Sequence, residues 1–175
     1  MIHSEQQNIQ ESIQQIASYI MIAAQTAPKG RGMDCLSIKT INEKEKNDLI
    51  SVMKKIGTEH EGAGFFLRDA ENVQQSDVVV LIGCQSEIRG LNCGLCGYKH
   101  CTEKPVNQPC AFNITDLGIA LGSAVSTAMQ FKVDNRILYS AGKAAMELNL
   151  LGREVSCIFA IPLSVSKKNI YFDRK

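Results

Sequence analysis

The sequence predicts an α+β domain in which helices and strands form packed layers. Near its start, apolar residues recur at three- and four-residue intervals, as Ile9, Ile13 and Ile16 do, which is typical of one face of a helix. Residues 78–82 are a continuous apolar run, which is typical of a central strand buried on both faces. Because helical segments separate the predicted strands, we expect one layered domain over residues 1–175.

Helices and strands are predicted along the whole chain. In order, they are a helix over residues 9–27, a strand over 36–41, helices over 43–56 and 65–73, a strand over 77–83, helices over 112–131 and 136–149, and a strand over 155–163. Pro28 ends the first helix, because the residue before a proline disfavours helical geometry. Asn42 is suited to cap the second helix.

The second half of the chain carries similar boundary signals. Asp116 is expected to cap the helix in which it lies. Asp134 or Asn135 is expected to cap the next helix, which Gly152 ends. Pro162 is expected to stop the last strand.

Composition and charge argue against several classes of partner. The formal net charge is +1, with a pI near 7.6, so we expect neither a nucleic acid nor a membrane as partner. No stretch reaches the roughly 18 apolar residues of a membrane span. The N-terminal residues lack the basic start and apolar middle of a secretory signal, so we expect a cytoplasmic protein.

The most informative feature is a cluster of cysteines. The chain has seven, and four of them follow a C-x2-C-x4-C-x8-C spacing at Cys93, Cys96, Cys101 and Cys110. Four thiolates so close in sequence can converge on one soft metal centre. A glycine follows each of the first two, which lets the backbone approach inorganic sulfide. We therefore expect residues 84–110 to form a cysteine-rich insertion that binds an iron–sulfur cluster.

The spacing leaves the identity of the metal open. Zinc sites commonly use two C-x2-C pairs separated by a longer loop, whereas this chain has one such pair. The spacing thus favours an iron–sulfur cluster over zinc, and the compact run favours 4Fe-4S. His100 could replace a cysteine as ligand, although a solvated loop histidine fits a full set of four thiolates better. Cys84 could be a spare or alternative ligand, although a buried structural thiol fits it better, and Cys35 and Cys157 are expected to be core residues.

Two resemblances to known families support a redox role. The run over residues 93–101 resembles the C-G-x-C-G-x-x-x-C motif in small iron–sulfur domains of membrane redox complexes and corrinoid/CO-dehydrogenase proteins, although its fourth cysteine follows sooner. The whole chain resembles a family of uncharacterised prokaryotic proteins described as containing a ferredoxin domain. The matching segments are residues 24–32, 66–71, 93–110, 116–124 and 161–174.

A weaker similarity is to flavin-dependent nitroreductases. Those proteins have a helix that ends in Ala-Pro, which corresponds to Ala27 and Pro28 here. They also have a helix with an Asp-x-Gly-x-Ala motif, which corresponds to residues 116–120. They also have a final strand with a proline, as at Pro162. The chain departs from them in having no arginine before Arg31. The resemblance implies a nitroreductase-like layered sheet-and-helix domain, a homodimer and FMN as a further cofactor.

Basic residues at two places are candidates to hold a flavin phosphate. Lys29 and Arg31 lie in a glycine-containing loop that could cradle an anion, although a plain basic turn also explains it. The similarity to nitroreductases implies that C-terminal basic residues help to bind the phosphate, and Lys167, Lys168 and Arg174 are the candidates.

The sequence therefore predicts an iron–sulfur redox protein, either an electron carrier or an oxidoreductase. Its partner would be a redox partner protein or a small-molecule electron acceptor. The alternative is a zinc-stabilised or thiol redox-sensing binding module without enzymatic activity.

Overall fold

The computed structural model of the chain describes residues 4–172. Over these residues it contains five α-helices and four strands. The helices are α1 (Glu5–Thr26), α2 (Glu43–Glu59), α3 (Phe65–Gln75), α4 (Ala111–Gln130) and α5 (Tyr139–Glu147). The strands are β1 (Leu36–Thr40), β2 (Val78–Gln85), β3 (Asp134–Asn135) and β4 (Val155–Ser164). None of these helices combines the length and apolarity needed to cross a membrane.

The four strands form one antiparallel sheet in the order β1-β2-β4-β3. Strand β2 is central and is buried on both faces, as its apolar run predicts. Its alternate side chains point to opposite faces of the sheet. Val80 and Ile82 therefore pack against one cluster of core residues, and Val79 and Leu81 pack against another.

The helices cover both faces of the sheet. Helices α1 and α4 pack together on one face, with Ile20 and Leu117 in their shared core. Helices α2, α3 and α5 cover the other face, where Met53 and Phe66 are buried. The predicted α+β class is confirmed, with three layers of helices, sheet and helices.

Helix ends follow the local sequence. The predicted cap at Asn42 is confirmed, because its side chain accepts the amide N–H of Glu45 and the Glu45 side chain accepts that of Asn42. Ser4 and Gln7 form the same reciprocal pair at the start of α1. Helix α1 ends at Thr26, shortly before Pro28.

Several predicted boundaries in the second half are wrong. Helix α5 ends at Glu147, with Asn149 in the left-handed conformation just after it, so Gly152 does not end the helix. Asp134 and Asn135 form the short strand β3 instead of capping a helix, because they pair with the end of β4. Pro162 lies inside β4 instead of stopping it. Ala160 bonds to Leu138 on the β3 side, and alternate residues of a strand face the same side, so Pro162 also faces the irregular β3 edge. A missing N–H is tolerated there.

Candidate metal centre

The segment that joins β2 to α4, residues 86–110, is an extended loop with a single turn of 3₁₀ helix over Cys101–Glu103. We call it the cysteine loop. Because β2 runs to Gln85, Cys84 belongs to the strand and the loop begins two residues after the predicted boundary of the insertion.

The four clustered cysteines line one cavity in this loop. All four are free thiols. Cys93 is exposed, Cys96 and Cys101 are half-buried, and Cys110 is buried at the N-terminal end of α4. The structure therefore brings together the four residues that the spacing predicts. His100 does not line the cavity.

Helix α4 anchors both ends of the cysteine loop. Cys110 is the residue that precedes its first turn. One turn further on, the buried Asn113 donates from Nδ2 to the backbone carbonyls of Gln85 and Glu87, at 2.8 Å each. The first and last residues of the loop are thus fixed to the same helix.

Arg89 and Asp116 connect the loop to the rest of the domain. Arg89 Nη2 lies 2.6 Å from Asp116 Oδ2, and both side chains are buried. Arg89 also donates to the Met33 carbonyl, at 2.6 Å, and to Cys35 Sγ, at 3.1 Å. Both carboxylate oxygens of Asp116 accept the Gly30 amide N–H, at 3.0 and 3.1 Å. The predicted role of Asp116 as a helix cap is wrong, since it lies in the second turn of α4 and pairs with arginine.

Asn92 and Cys101 form a reciprocal pair within the loop. The Asn92 N–H donates to Cys101 Sγ, at 3.3 Å, and the Asn92 side-chain oxygen accepts the Cys101 N–H, at 2.8 Å. Asn92 has φ +47°, a left-handed conformation that asparagine tolerates better than most residues. Gly94 and Gly97 also have positive φ, at 74° and 91°, so both glycines of the motif are used to turn the chain around the cavity.

Two buried basic residues, Arg89 and Lys104, are among the residues that line the cavity. The charge of Arg89 is paired with Asp116. Ala111 and Phe112, which begin α4, line it as well, and the first amides of a helix carry partial positive charge.

These residues fit an iron–sulfur cluster by donor type, shared cavity and charge. Thiolates are the ligands that such clusters use, and the first residues of α4, whose amides carry partial positive charge, line the same cavity. Within residues 4–172, no group of three or more His, Cys, Asp or Glu side chains has an arrangement that could hold a metal ion.

The three other cysteines belong to the sheet, as predicted. Cys84 and Cys157 lie opposite each other on β2 and β4, and Cys35 directly precedes β1. Cys35 and Cys84 are buried, and Cys157 packs against the same core. Burial, reinforced by the neighbouring Cys157 and Cys35, raises the pKa of Cys84 to about 12. Burial also raises the pKa of Cys157, and that of Cys35 despite the nearby Arg89 charge.

The basic residues predicted to hold a flavin phosphate lie at two distant places. Lys29 Nζ donates to the backbone carbonyls of Gln25 and Ala27. Arg31 donates to the Arg89 carbonyl, at 2.6 Å. Both precede β1, near the end of β2, whereas Lys168 follows β4, near the start of β2. Strand β2, which runs between these two ends of the sheet, has eight residues and is about 23 Å long. Arg174 lies outside the described residues, and the flavin site stays a prediction.

A wider cleft of about 750 Å³ adjoins the cysteine cavity. The two share Ile88, Cys101 and Lys104. Its other lining residues include Met146, in the last turn of α5, and Arg153, which precedes β4. Cys101 therefore belongs to the walls of both the cavity and the cleft.

Comparison with known proteins connects the chain to one family and one fold. Residues 107–174 match the family described as "Uncharacterized protein containing a ferredoxin domain" (DUF2148). An uncharacterized protein of Archaeoglobus fulgidus is 37% identical over 170 residues, which cover 91% of this chain and 90% of that protein.

Among solved structures, a nitroreductase family protein from Clostridium novyi superimposes with a TM-score of 0.62 at 15% identity, over 91% of this chain and 76% of that one. A putative nitroreductase from Desulfovibrio desulfuricans in complex with FMN gives 0.59 at 15% identity, over 92% and 78%. The NADPH:FMN oxidoreductase of Vibrio harveyi gives 0.59 at 12% identity, and this chain covers only 63% of its length. These likenesses establish a nitroreductase-like fold.

Proposed function

The chain belongs to the family of uncharacterized proteins containing a ferredoxin domain, and on that premise we propose that it is an iron–sulfur redox protein. Cys93, Cys96, Cys101 and Cys110 would hold the cluster, which we infer to be of the 4Fe-4S type. The observation that carries this proposal is that these four free thiols line one cavity. When bound, the cluster supplies one-electron redox chemistry.

The surrounding residues support cluster binding by holding the loop in place. Cys110 is fixed by α4, and Cys101 is fixed by its two hydrogen bonds with Asn92. Arg89 attaches the start of the loop to the buried Asp116. Ligands held by such supporting contacts need less ordering when the metal binds, which favours affinity.

The position of the loop supports electron exchange with a second molecule. Cys93 is exposed, and Leu95 and Val106 of the same loop are 70% and 88% exposed. A redox partner protein could therefore approach the ligands closely. The adjoining cleft offers a second route, in which a small electron acceptor would lie against Cys101.

FMN is the further cofactor that the nitroreductase-like fold supports. Lys29, Arg31, Lys168 and Arg174 would hold the flavin phosphate. Because Lys29 and Arg31 lie near the end of β2 and Lys168 follows β4 near the start of β2, a strand about 23 Å long, we propose that a site using both groups draws them from two chains. We therefore couple the proposed flavin site to a homodimer.

Metal and sulfide analysis of protein purified without oxygen tests this function. For a 4Fe-4S protein we expect about four iron and four acid-labile sulfide per chain, with a broad absorption in the visible region. A flavin band in the same spectrum would add FMN. One zinc per chain and no sulfide would overturn the redox proposal in favour of a zinc-stabilised module.

A pair of cysteine variants tests the ligand assignment. Cys96→Ser removes one proposed ligand and should abolish most of the iron and sulfide. Cys157→Ser is the matched control, because Cys157 is half-buried in the sheet and does not line the cavity. Full iron content in Cys96→Ser would refute its role as ligand.

A further inference from the structure

Lys104 is a buried lysine of the cysteine loop. It is one of the residues that line the cavity with the four cysteines, and it is only 7% exposed. Nζ donates to the backbone carbonyls of Ser86, at 3.0 Å, Pro105, at 3.1 Å, and Gln108. The ammonium thus holds three points of the cysteine loop together.

Lys104 forms no ion pair with a carboxylate of residues 4–172. Within residues 4–172, no carboxylate oxygen lies within 4.0 Å of Nζ. Arg89, the other cation of the cavity wall, differs because Asp116 neutralises it. Carbonyl groups satisfy the hydrogen bonds of an ammonium but carry no net charge. A buried charge without a counter-charge is costly, so this side of the cavity is prepared for an anion.

We propose that Lys104 is the internal counter-charge of the thiolate-bound cluster and raises its reduction potential. This inference rests on the proposed function. Reduction adds one electron to the cluster and therefore one negative charge. A fixed ammonium beside the thiolates stabilises the reduced form more than the oxidised form, because the attraction grows with the negative charge. Burial makes the effect large, since water does not screen the charge.

Redox titration of the anaerobically purified protein tests this role. Lys104→Met removes the charge, and its potential should be more negative than that of the unaltered protein. Lys104→Arg keeps the charge and should stay closer to the original potential. Lys99→Met is the matched control, because Lys99 is an exposed lysine in the same loop and should leave the potential unchanged.

The outcomes separate this inference from the proposed function. Absence of iron and sulfide in the unaltered protein overturns both. A cluster whose potential is the same in Lys104→Met overturns the role of Lys104 alone, because a purely structural lysine would change only the amount of cluster.

If Lys104→Met retains no cluster, Lys104→Gln takes its place, because the amide keeps a donor for the carbonyls without the charge. A more negative potential in Lys104→Gln supports the proposal. If Lys104→Gln also loses the cluster, iron retained in Lys104→Arg supports it, and iron lost in Lys104→Arg overturns it.

Discussion

Arg89 and Asp116 form an ion pair inside the protein, with 2.6 Å between Nη2 and Oδ2 and side-chain exposures of 1% and 4%. Arg89 comes from the cysteine loop and Asp116 from the second turn of α4. Because Asp116 also accepts the Gly30 amide, one carboxylate fixes the loop before β1 and the loop after β2. The ion pair therefore positions the start of the segment that carries the cysteines.

We expect Asp116→Asn to destabilise the fold strongly. The substitution leaves the Arg89 charge buried without a counter-charge, which costs about 3–5 kcal/mol when one partner of a buried pair is removed. Urea unfolding measures the loss. Asp48→Asn, at an exposed position of α2, is the control and should change the free energy of unfolding by less than about 0.5 kcal/mol.

A double variant separates the charge from the packing at this site. Arg89→Met combined with Asp116→Leu removes both charges and keeps apolar volume, so it should recover much of the stability that Asp116→Asn loses. A double variant at least as unstable as the single one would show that the hydrogen bonds to Gly30 and Met33, and not the unpaired charge, dominate.

Asn92→Ala should weaken retention of the cluster. The variant loses the acceptor for the Cys101 N–H and places alanine at φ +47°, where asparagine is tolerated better. Loss of a supporting contact of a metal ligand typically costs 10–100-fold in metal affinity. Iron release to a chelator, followed by absorbance, should accelerate by about that range.

Asn107→Ala is the control for this measurement. Asn107 is exposed in the same loop and lines the wider cleft, not the cysteine cavity. Equal release rates for the two variants would mean that the contact between Asn92 and Cys101 does not support the ligand.

Local sequence predicts most of the elements, and it predicts which four cysteines line one cavity, because both depend on spacing along the chain. The apolar run of β2 and the cap at Asn42 are examples. Contacts between distant residues are a different matter. Nothing near Arg89 in the sequence indicates that it is buried, since its partner Asp116 lies 27 positions away. Likewise, β3 forms only because β4 passes beside it, so a local helix-cap signal at Asp134 was misleading.

Alkaline pH should destabilise the protein through Cys84. Its pKa is about 12 in the folded protein against an ordinary value of 9.0, so above pH 9 the unfolded chain loses a proton that the folded chain keeps. The stabilising contribution is complete below pH 9 and is lost as pH rises towards 12. The loss is about 1.4 kcal/mol per pH unit within that window.

Urea unfolding between pH 9 and 10.5, with a reductant present, measures this slope. Cys84→Ala should be less stable at pH 8 but should lose less stability per pH unit, because it lacks the buried thiol. The raised pKa values of Cys35 and Cys157 leave a residual slope of the same sign. An unchanged slope in Cys84→Ala would contradict the assignment.

Gly142→Ala should be among the most destabilising single-methyl substitutions in the domain. Gly142 is buried in α5, and a Cβ there would lie 1.8 Å from the Ile158 carbonyl oxygen in β4. The helix would have to move away from the strand, so we expect a loss of about 3 kcal/mol or more. Gly118→Ala is the opposite case, because Gly118 is exposed in α4 and its Cβ would meet nothing within 4 Å. The free energy of unfolding of Gly118→Ala should rise by about 0.5–1 kcal/mol. Thermal unfolding compares the two variants, and unfolding temperatures that shift in the same direction would contradict this packing.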